Sequence, residues 1–305
     1  MEVAIEKSEE TTSTIDVYCE NNKINRPYQS SLIIDTKEFH EVVTNLRDFF
    51  LSKKFLEVST QNRLSILAAC EDPFNVQTYN YAGKCWPLPQ TGQMWLEYEL
   101  LKNPEPEGYF CLTTSYRFEK EPKQDRHDLI FPLFEFEIKG GMDKLIELEK
   151  ELLEHLGYDV SKFMVGKYTD IANKYDTKEL EHEHEDRLDK EESSTFFLTH
   201  FPEFTHPFWN MKRGDNDESN KIDVILSGQE TIGSAERETD KDVMRLRFNT
   251  IMDGAYKEKL YELFGKERTD AELDDYLNFD FFERSGGGIG MTRLIRSMKK
   301  EGLLS

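Results

Sequence analysis

Three groups of residues have the types and spacing for chemistry on a phosphorylated ligand. The first is Arg117-Phe118-Glu119, followed by Arg126-His127 and then Phe131. On an extended segment Arg117 and Glu119 point to one face. A guanidinium beside a carboxylate suits a nucleotide, Arg for the α-phosphate and Glu for the adenine amino group. The loop from Lys120 to Arg126 could then fold over the outer phosphates, and the Phe131 ring could stack on a base. A surface hairpin with a salt bridge explains the same residues equally well. The second group is Ser285-Gly286-Gly287-Gly288-Ile289-Gly290-Met291-Thr292-Arg293. Glycines let a backbone approach a ligand closely, and Arg293, three residues into the following helix, could grip a phosphate with its two-pronged head. The run is not a G-x-x-x-x-G-K-[ST] phosphate loop, because no Lys follows, nor a dinucleotide fingerprint, because no βαβ unit follows. The third group is Asp223 with Gly228-Gln229-Glu230 and Gly233-Ser234-Ala235-Glu236-Arg237-Glu238. Asp223 and Glu230 would supply the few carboxylate oxygens that Mg²⁺ takes beside phosphate oxygens. An acidic strand edge is the competing reading, and composition by itself favours it.

These side chains need a scaffold, and the hydrophobic pattern supplies one. Phe39, Val42, Val43, Leu46 and Phe49 recur at helical spacing between Thr36 and Ser52, closed by Lys53 and Lys54. FLEVST (55–60) reads as a strand. Residues 73–90 read as strands with loops, 91–102 as a helix, and NPEPEG (103–108) as a turn. YFCLTTSYRFE and LIFPLFEFEI read as two long antiparallel strands joined by a charged loop. The clearest helix is MDKLIELEKELLEHLGY (142–158). Residues 177–194 form an acidic insertion, a solvated helix or loop, in which Glu181-His182-Glu183-His184-Glu185 could bind a metal but more simply faces water. FFLTHFP and IDVILSG read as strands. A helical stretch from Asp240 to Phe264 buries Val243, Leu246, Phe248 and Ile251. The chain closes as strand, glycine loop and helix. Strands and helices do not alternate regularly, which favours an α+β fold, an antiparallel sheet flanked by helices. Residues 1–34 read as a polar arm and 35–305 as one catalytic domain.

The totals set bounds. The chain has 305 residues with 21 Phe and 13 Tyr, enough rings for a substantial core. Sixty acidic against 39 basic residues leave a net charge of −21, which lowers the expectation of a nucleic-acid partner. Cys19, Cys70, Cys85 and Cys111 include no C-x-x-C pair and suit neither a zinc site nor a disulfide framework. The acidic N-terminus has no apolar core of a signal peptide, and no apolar run approaches the ~18 residues of a membrane span. A cytoplasmic protein with free thiols is the expectation.

In their order along the chain the three groups resemble the catalytic core of class II aminoacyl-tRNA synthetases, the group around Arg117 matching motif 2 and the glycine run that ends in Arg293 matching motif 3. The resemblance spans roughly residues 37 to 298. Arg126-His127 followed by Phe131 is the mark of the aspartate, asparagine and lysine branch. Thr91-Gly92-Gln93-Met94-Trp95-Leu96-Glu97 is similar to the Ser-Gly-Gln-Leu-x-Leu-Glu of asparaginyl enzymes, where aspartyl enzymes place a lysine at the position of Leu96. Phe131-Pro132-Leu133-Phe134-Glu135-Phe136-Glu137 resembles the asparaginyl strand whose first Glu accepts the side-chain amide, and Glu230 to Glu238 resembles Glu-Ile-Ile-Gly-Gly-Ser-Gln-Arg-Glu. Three departures stand out. Gln61 stands where motif 1 normally ends in Pro, Ile130 replaces a common Glu, and only an arm precedes the core where these enzymes carry an anticodon-binding barrel.

The resemblance implies ATP-dependent formation of an aminoacyl adenylate. Arg117 and Arg293 would act on the phosphates; Glu119, Arg126, His127, Phe131, Gly288 and Gly290 would complete the ATP site. Thr91, Gln93, Glu135 and Arg237 would hold the amino acid, and Asp223 and Glu230 would hold Mg²⁺. An amide offers donors that a carboxylate lacks, so Glu135, with no lysine at 96, favours asparagine over aspartate. A homodimer is the family expectation. The acceptor is open, with tRNA disfavoured by acidity and the missing barrel. Two other readings are an ammonia-dependent asparagine synthetase that activates aspartate and a non-catalytic regulatory paralogue.

Overall fold

The computed structural model describes residues 34–60, 64–67, 72–118, 128–214, 216 and 218–304. The strands are β1 (Leu56–Glu57), β2 (Thr78–Tyr81), β3 (Lys84–Pro87), β4 (Gly108–Tyr116), β5 (Ile130–Lys139), β6 (Phe163–Lys167), β7 (Thr195–Pro202), β8 (Glu218–Leu226), β9 (Gln229–Glu236) and β10 (Arg284–Gly290). The α-helices are α1 (Thr36–Ser52), α2 (Gln93–Lys102), α3 (Met142–His155), α4 (Tyr168–Lys174), α5 (His182–Glu191), α6 (Lys241–Thr250), α7 (Ala255–Phe264), α8 (Lys266–Leu277) and α9 (Met291–Lys300). Eight strands form one sheet in the order β1-β4-β5-β10-β9-β8-β7-β6, and β2 pairs with β3. The six central strands are antiparallel; β1 and β6 join the edges in parallel. The fold is α+β, as the sequence implies.

The two faces of the sheet carry different chemistry, and strand alternation explains why. On β5, Phe134, Phe136 and Ile138 point one way and Leu133, Glu135 and Glu137 the other. The first set joins Ile222 and Val224 of β8, Ile232 of β9 and Ile289 of β10 in an apolar layer. Helices α1, α3 and α9 close over it through Val42, Leu46 and Phe50, Leu145, Leu152 and Leu153, and Leu294, Ile295 and Met298. Asp35 starts α1 by accepting from the N–H groups of Lys37 at 2.8 Å and Glu38 at 3.1 Å. On the opposite face, helices α2 and α6 to α8 pack one apolar cluster around Trp209, Phe248 and Tyr276, and α4 and α5 pack another around Phe196 and Leu198. A polar strip of sheet lies between these clusters.

Four local expectations are corrected. The FLEVST segment pairs only over Leu56–Glu57. The glycine run is not a loop but the central strand β10, bonded to β5 and β9 along its length. The helical stretch from Asp240 breaks at 251–254, where Met252 and Asp253 take left-handed φ values of 53° and 56°. Its buried positions are Met244 and Phe248, one turn apart, whereas Leu246 is 63% exposed. Helix α8 is an addition: its buried Thr269, Leu273, Tyr276 and Leu277 keep helical spacing inside a polar sequence. The polar arm expected over 1–34 falls almost wholly outside the described residues.

One charge lies on the apolar face. Glu149 of α3 is fully buried, and among the described residues neither carboxylate oxygen has a hydrogen-bond partner. Burial pushes its pKa up to about 8; the nearby Ser234 hydroxyl offsets part of this and Asp223 adds repulsion. A carboxyl raised in the folded state keeps full stability below its ordinary value near 4.5 and loses it as pH climbs toward 8. Glu149→Gln is therefore expected to stabilise the protein by at most about 4 kcal/mol at pH 8 and by nothing at pH 4. Denaturant unfolding at both pH values checks this; an equal effect at the two would contradict it.

Candidate active site

A single register row runs across the polar strip. Asp223 of β8 faces Gly233 of β9, which faces Gly288 of β10, which faces Glu135 of β5, which faces Cys111 of β4. Strands lie about 4.8 Å apart, so the two carboxyl-bearing positions stand roughly 14 Å apart with only glycine between them. The result is a trough with a bare backbone floor. The next row has Gly286 facing Glu137 and Ala235, and a Cβ on Gly286 would lie on the Glu137 carboxylate and 2.5 Å from Phe136 O. Gly290 ends the strand and hands over to α9, whose third residue is Arg293.

At one end of the trough Gln93 and Glu97, one turn apart on α2, converge on Arg237. With its amide oxygen turned inward, Gln93 accepts from Gly287 N–H at 2.9 Å and from Arg237 Nη2 at 2.6 Å. Arg237, 1% exposed, donates to both oxygens of Glu137 at 3.2 Å and lies 3.5 Å from Glu97. Glu97 also accepts from Arg284 Nη2 at 2.8 Å, from the Tyr276 hydroxyl at 2.6 Å and from Asn210 Nδ2 at 2.8 Å. Two buried carboxylates thus oppose two buried guanidiniums. Burial alone would raise Glu97, but Arg284 and Arg237 outweigh it and hold Glu97 below the usual range. Burial lifts Glu137 to about 7 against the pull of Arg237.

Glu135 lies beside this network, enclosed. Its oxygens accept from the hydroxyls of Thr91 and Thr113, the latter at 2.6 Å, and from Gly92 N–H at 2.8 Å, with Cys111 Sγ at 3.9 Å. Burial pushes its pKa up and the two threonines and Gly92 pull it back. Glu135 therefore anchors the turn that starts α2, and Thr91 meets it directly. Burial likewise pushes the Cys111 thiol well up.

At the other side of the trough Glu230 Oε1 and Asp223 Oδ1 converge above Gly233, where a Cβ would meet them at 3.1 and 3.7 Å. Asp223 Oδ1 is buried and has no hydrogen-bond partner among the described residues, while Oδ2 accepts from Lys221 Nζ at 2.7 Å. Burial raises Asp223 to about 7; Lys221 opposes this and Glu230 adds to it. Arg293 donates to the Glu230 carbonyl at 2.6 Å, and Glu185 of α5 accepts from Glu230 N–H at 2.9 Å. An orphaned carboxylate oxygen beside a second carboxylate fits a divalent cation completed by phosphate oxygens.

Strand β4 ends at Tyr116, but Arg117 N–H still donates to Leu129 O at 2.9 Å. Continued alternation brings Arg117 and Phe131 to the trough face at the Gly290 end. Glu119, Arg126 and His127 lie outside the described residues. The His-rich cluster is the start of α5: Glu181 and His184 form a reciprocal cap, and the His184 ring stacks on Tyr175. Among the described residues no three His, Cys, Asp or Glu side chains gather as a metal-holding group.

The network residues Glu97, Glu137, Arg284 and Tyr276 were not among those expected to carry function, nor was Lys221. Glu137 and Lys221 had a usable signal, since each stands two residues from an expected site residue on a strand. Arg284 and Tyr276 had none, because their partner Glu97 lies 187 and 179 residues away.

The sequence pattern of class II tRNA synthetases (D, K and N) matches residues 24–302. No curated protein sequence matches the chain. The asparaginyl-tRNA synthetase of Pyrococcus horikoshii complexed with asparaginyl-adenylate is similar in structure, with a TM-score of 0.70 at 21% identity over 87% of this chain and 64% of that one. The Entamoeba histolytica asparaginyl-tRNA synthetase in complex with asparaginyl-adenylate gives 0.71 at 16% identity over 87% and 63%. The aspartyl-tRNA synthetase of Entamoeba histolytica gives 0.65 at 15% identity over 96% and 60%. At these identities the likeness is one of fold, and the chain spans under two thirds of each of these proteins. Among the described residues no helix is long and apolar enough to cross a membrane. With the family pattern covering most of its length and its motifs gathered along one sheet face, the chain belongs to the class II tRNA synthetases of the D, K and N group.

Proposed function

We propose that the chain activates asparagine with ATP to form the aminoacyl adenylate. The observation that carries this reading is the glycine-floored trough, with Gln93 and Arg237 at one end and the Asp223–Glu230 pair at its side. A bare floor admits a flat, extended ligand such as an adenylate against the backbone. The amino acid lies at the Gln93 end, Gln93 holding its α-amino group. ATP lies toward Gly288 and Gly290, its base between Phe131 and Arg293. Arg293, held on the Glu230 carbonyl in the present arrangement, releases it to reach the phosphates.

The amino acid carboxylate attacks the α-phosphorus and pyrophosphate leaves. Arg117 balances the charge that develops on the α-phosphoryl group, and no side chain serves as a nucleophile, so catalysis is positioning and electrostatics. Asp223 and Glu230 would hold Mg²⁺, which supplies charge neutralisation at the phosphates. Glu119, for the adenine amino group, and Arg126 and His127, for the pyrophosphate, are assigned from the sequence alone.

Charge supports asparagine over aspartate. Arg237 is already matched by Glu137 and Glu97, and Leu96 stands where aspartyl enzymes place a lysine. A substrate carboxylate would enter uncompensated, whereas a neutral amide can accept from Arg237 and donate to a carboxylate. Glu135, its oxygens occupied by chain donors, supports the Thr91–Gln93 turn, and Glu137 is the carboxylate in contact with Arg237. We keep a homodimer and a cytoplasmic location as part of this proposal; the acceptor is not assigned.

Pyrophosphate exchange into ATP, run with each amino acid in turn, tests the reading. Exchange with asparagine is expected to exceed that with aspartate by at least about tenfold. Exchange with aspartate alone would indicate aspartate activation, as in an ammonia-dependent asparagine synthetase, and folded protein with no exchange would indicate a non-catalytic role. A second expectation concerns Glu137. Its raised pKa means that lowering pH from 8 to 6 removes negative charge beside Arg237. The asparagine-to-aspartate exchange ratio should therefore fall with pH, and Glu137→Gln should show a low ratio at both ends. A ratio independent of pH and of this substitution would contradict the charge account.

A further inference from the structure

Each carboxylate of the proposed cation pair is engaged by a cation of the chain. Arg293 stands 3.9 Å from Glu230 Oε2. Lys221 makes the closer contact, 2.7 Å from Asp223 Oδ2, with its ammonium 4.0 Å from the centre of the Phe201 ring. Lys221 and Asp223 are alternate residues of β8, so the strand itself aims both at the trough face. The pair is largely enclosed, with side-chain exposures of 26% and 11%, so water does little to weaken the contact. Asp223 is thus divided. One oxygen is bound to an ammonium; the other has no partner among the described residues and is turned toward Glu230 above Gly233.

We propose that Lys221 is a resident counter-ion that competes with the divalent cation for Asp223 and so weakens binding of the bare cation. The proposal rests on the reading of Asp223 and Glu230 as the cation pair. A divalent ion entering above Gly233 meets an ammonium on the far oxygen of the same carboxylate, and the repulsion scales with the product of their charges. Binding must either displace Lys221 from Asp223 or proceed against it. A cation arriving with nucleotide brings phosphates that offer the displaced ammonium a new partner. Lys221 therefore handicaps the free ion more than the ion–nucleotide complex.

Titrating the full chain with Mn²⁺ in the absence of nucleotide, following the free-ion electron paramagnetic resonance signal, tests this without turnover. Lys221→Met keeps the aliphatic stem on Phe201 and deletes the charge; about tenfold tighter Mn²⁺ binding than wild type is expected. Lys221→Arg should bind as wild type does, and adding Asp223→Asn to Lys221→Met should erase the gain. Lys221→Gln serves as the charge-deleting variant if the Met form melts below wild type. Equal or weaker binding by both charge-deleted forms overturns the counter-ion role while leaving the acidic pair as a cation site. No binding by wild type or variants at millimolar Mn²⁺ overturns the acidic pair and the proposal together.

Discussion

The structure of one end of the trough depends on how Arg237 is buried. A guanidinium at 1% exposure is tolerable only when its charge and donors are matched, and Glu137, Glu97 and Gln93 do that from two different elements. Removing one carboxylate would leave an uncompensated buried charge, at a cost of about 3–5 kcal/mol. The same requirement fixes α2 against the sheet, because Gln93 and Glu97 can reach Arg237 only from one side of that helix. Arg284 and Tyr276 extend the constraint to β10 and α8 through Glu97. These paired charges leave the side chains of the pocket few alternative arrangements.

The central strand obeys a complementary constraint. On β10 the residues at 286–288 are glycines; a side chain at 286 would strike Glu137 on one face and one at 287 would meet Ser234, 2.5 Å away, on the other, whereas one at 288 would fill the trough with only ordinary contacts to Leu133 and Glu135. The empty space is what makes a trough. Stability comes from the reverse face, where aromatic and aliphatic side chains of the same strands pack under three helices. The sheet thus separates its duties by strand alternation, and Glu149 on the apolar side is the exception that carries an electrostatic cost.

How much of this was legible in the sequence follows from the range of the interactions involved. The long strands β4 and β5 and the helix α3 could be read, because their patterns are local and strongly periodic. The motifs also singled out Gln93, Arg237, Asp223 and Glu230, which the structure brings around one trough from a helix and two strands. The glycine run was read as a loop, since glycine carries no strand pattern and its neighbours across the sheet are invisible in sequence. Leu246 was expected inside because it fits a helical stripe, yet the helix stops at Thr250 and its buried stripe runs through Met244 and Phe248. Glu135 looked like a substrate reader; the donors that occupy it, Thr91 and Thr113, come from a turn and a neighbouring strand. The Glu97 network joins segments nearly two hundred residues apart and left no local trace.

The central claim is that one trough binds an aminoacyl adenylate with asparagine at the Arg237 end. A structure with the non-hydrolysable asparaginyl sulfamoyl-adenosine tests it most directly. The account predicts the side-chain amide against Arg237, the α-amino group on Gln93, and the base between Phe131 and Arg293. A ligand bound outside the trough, or a side chain pointing away from Arg237, would contradict it.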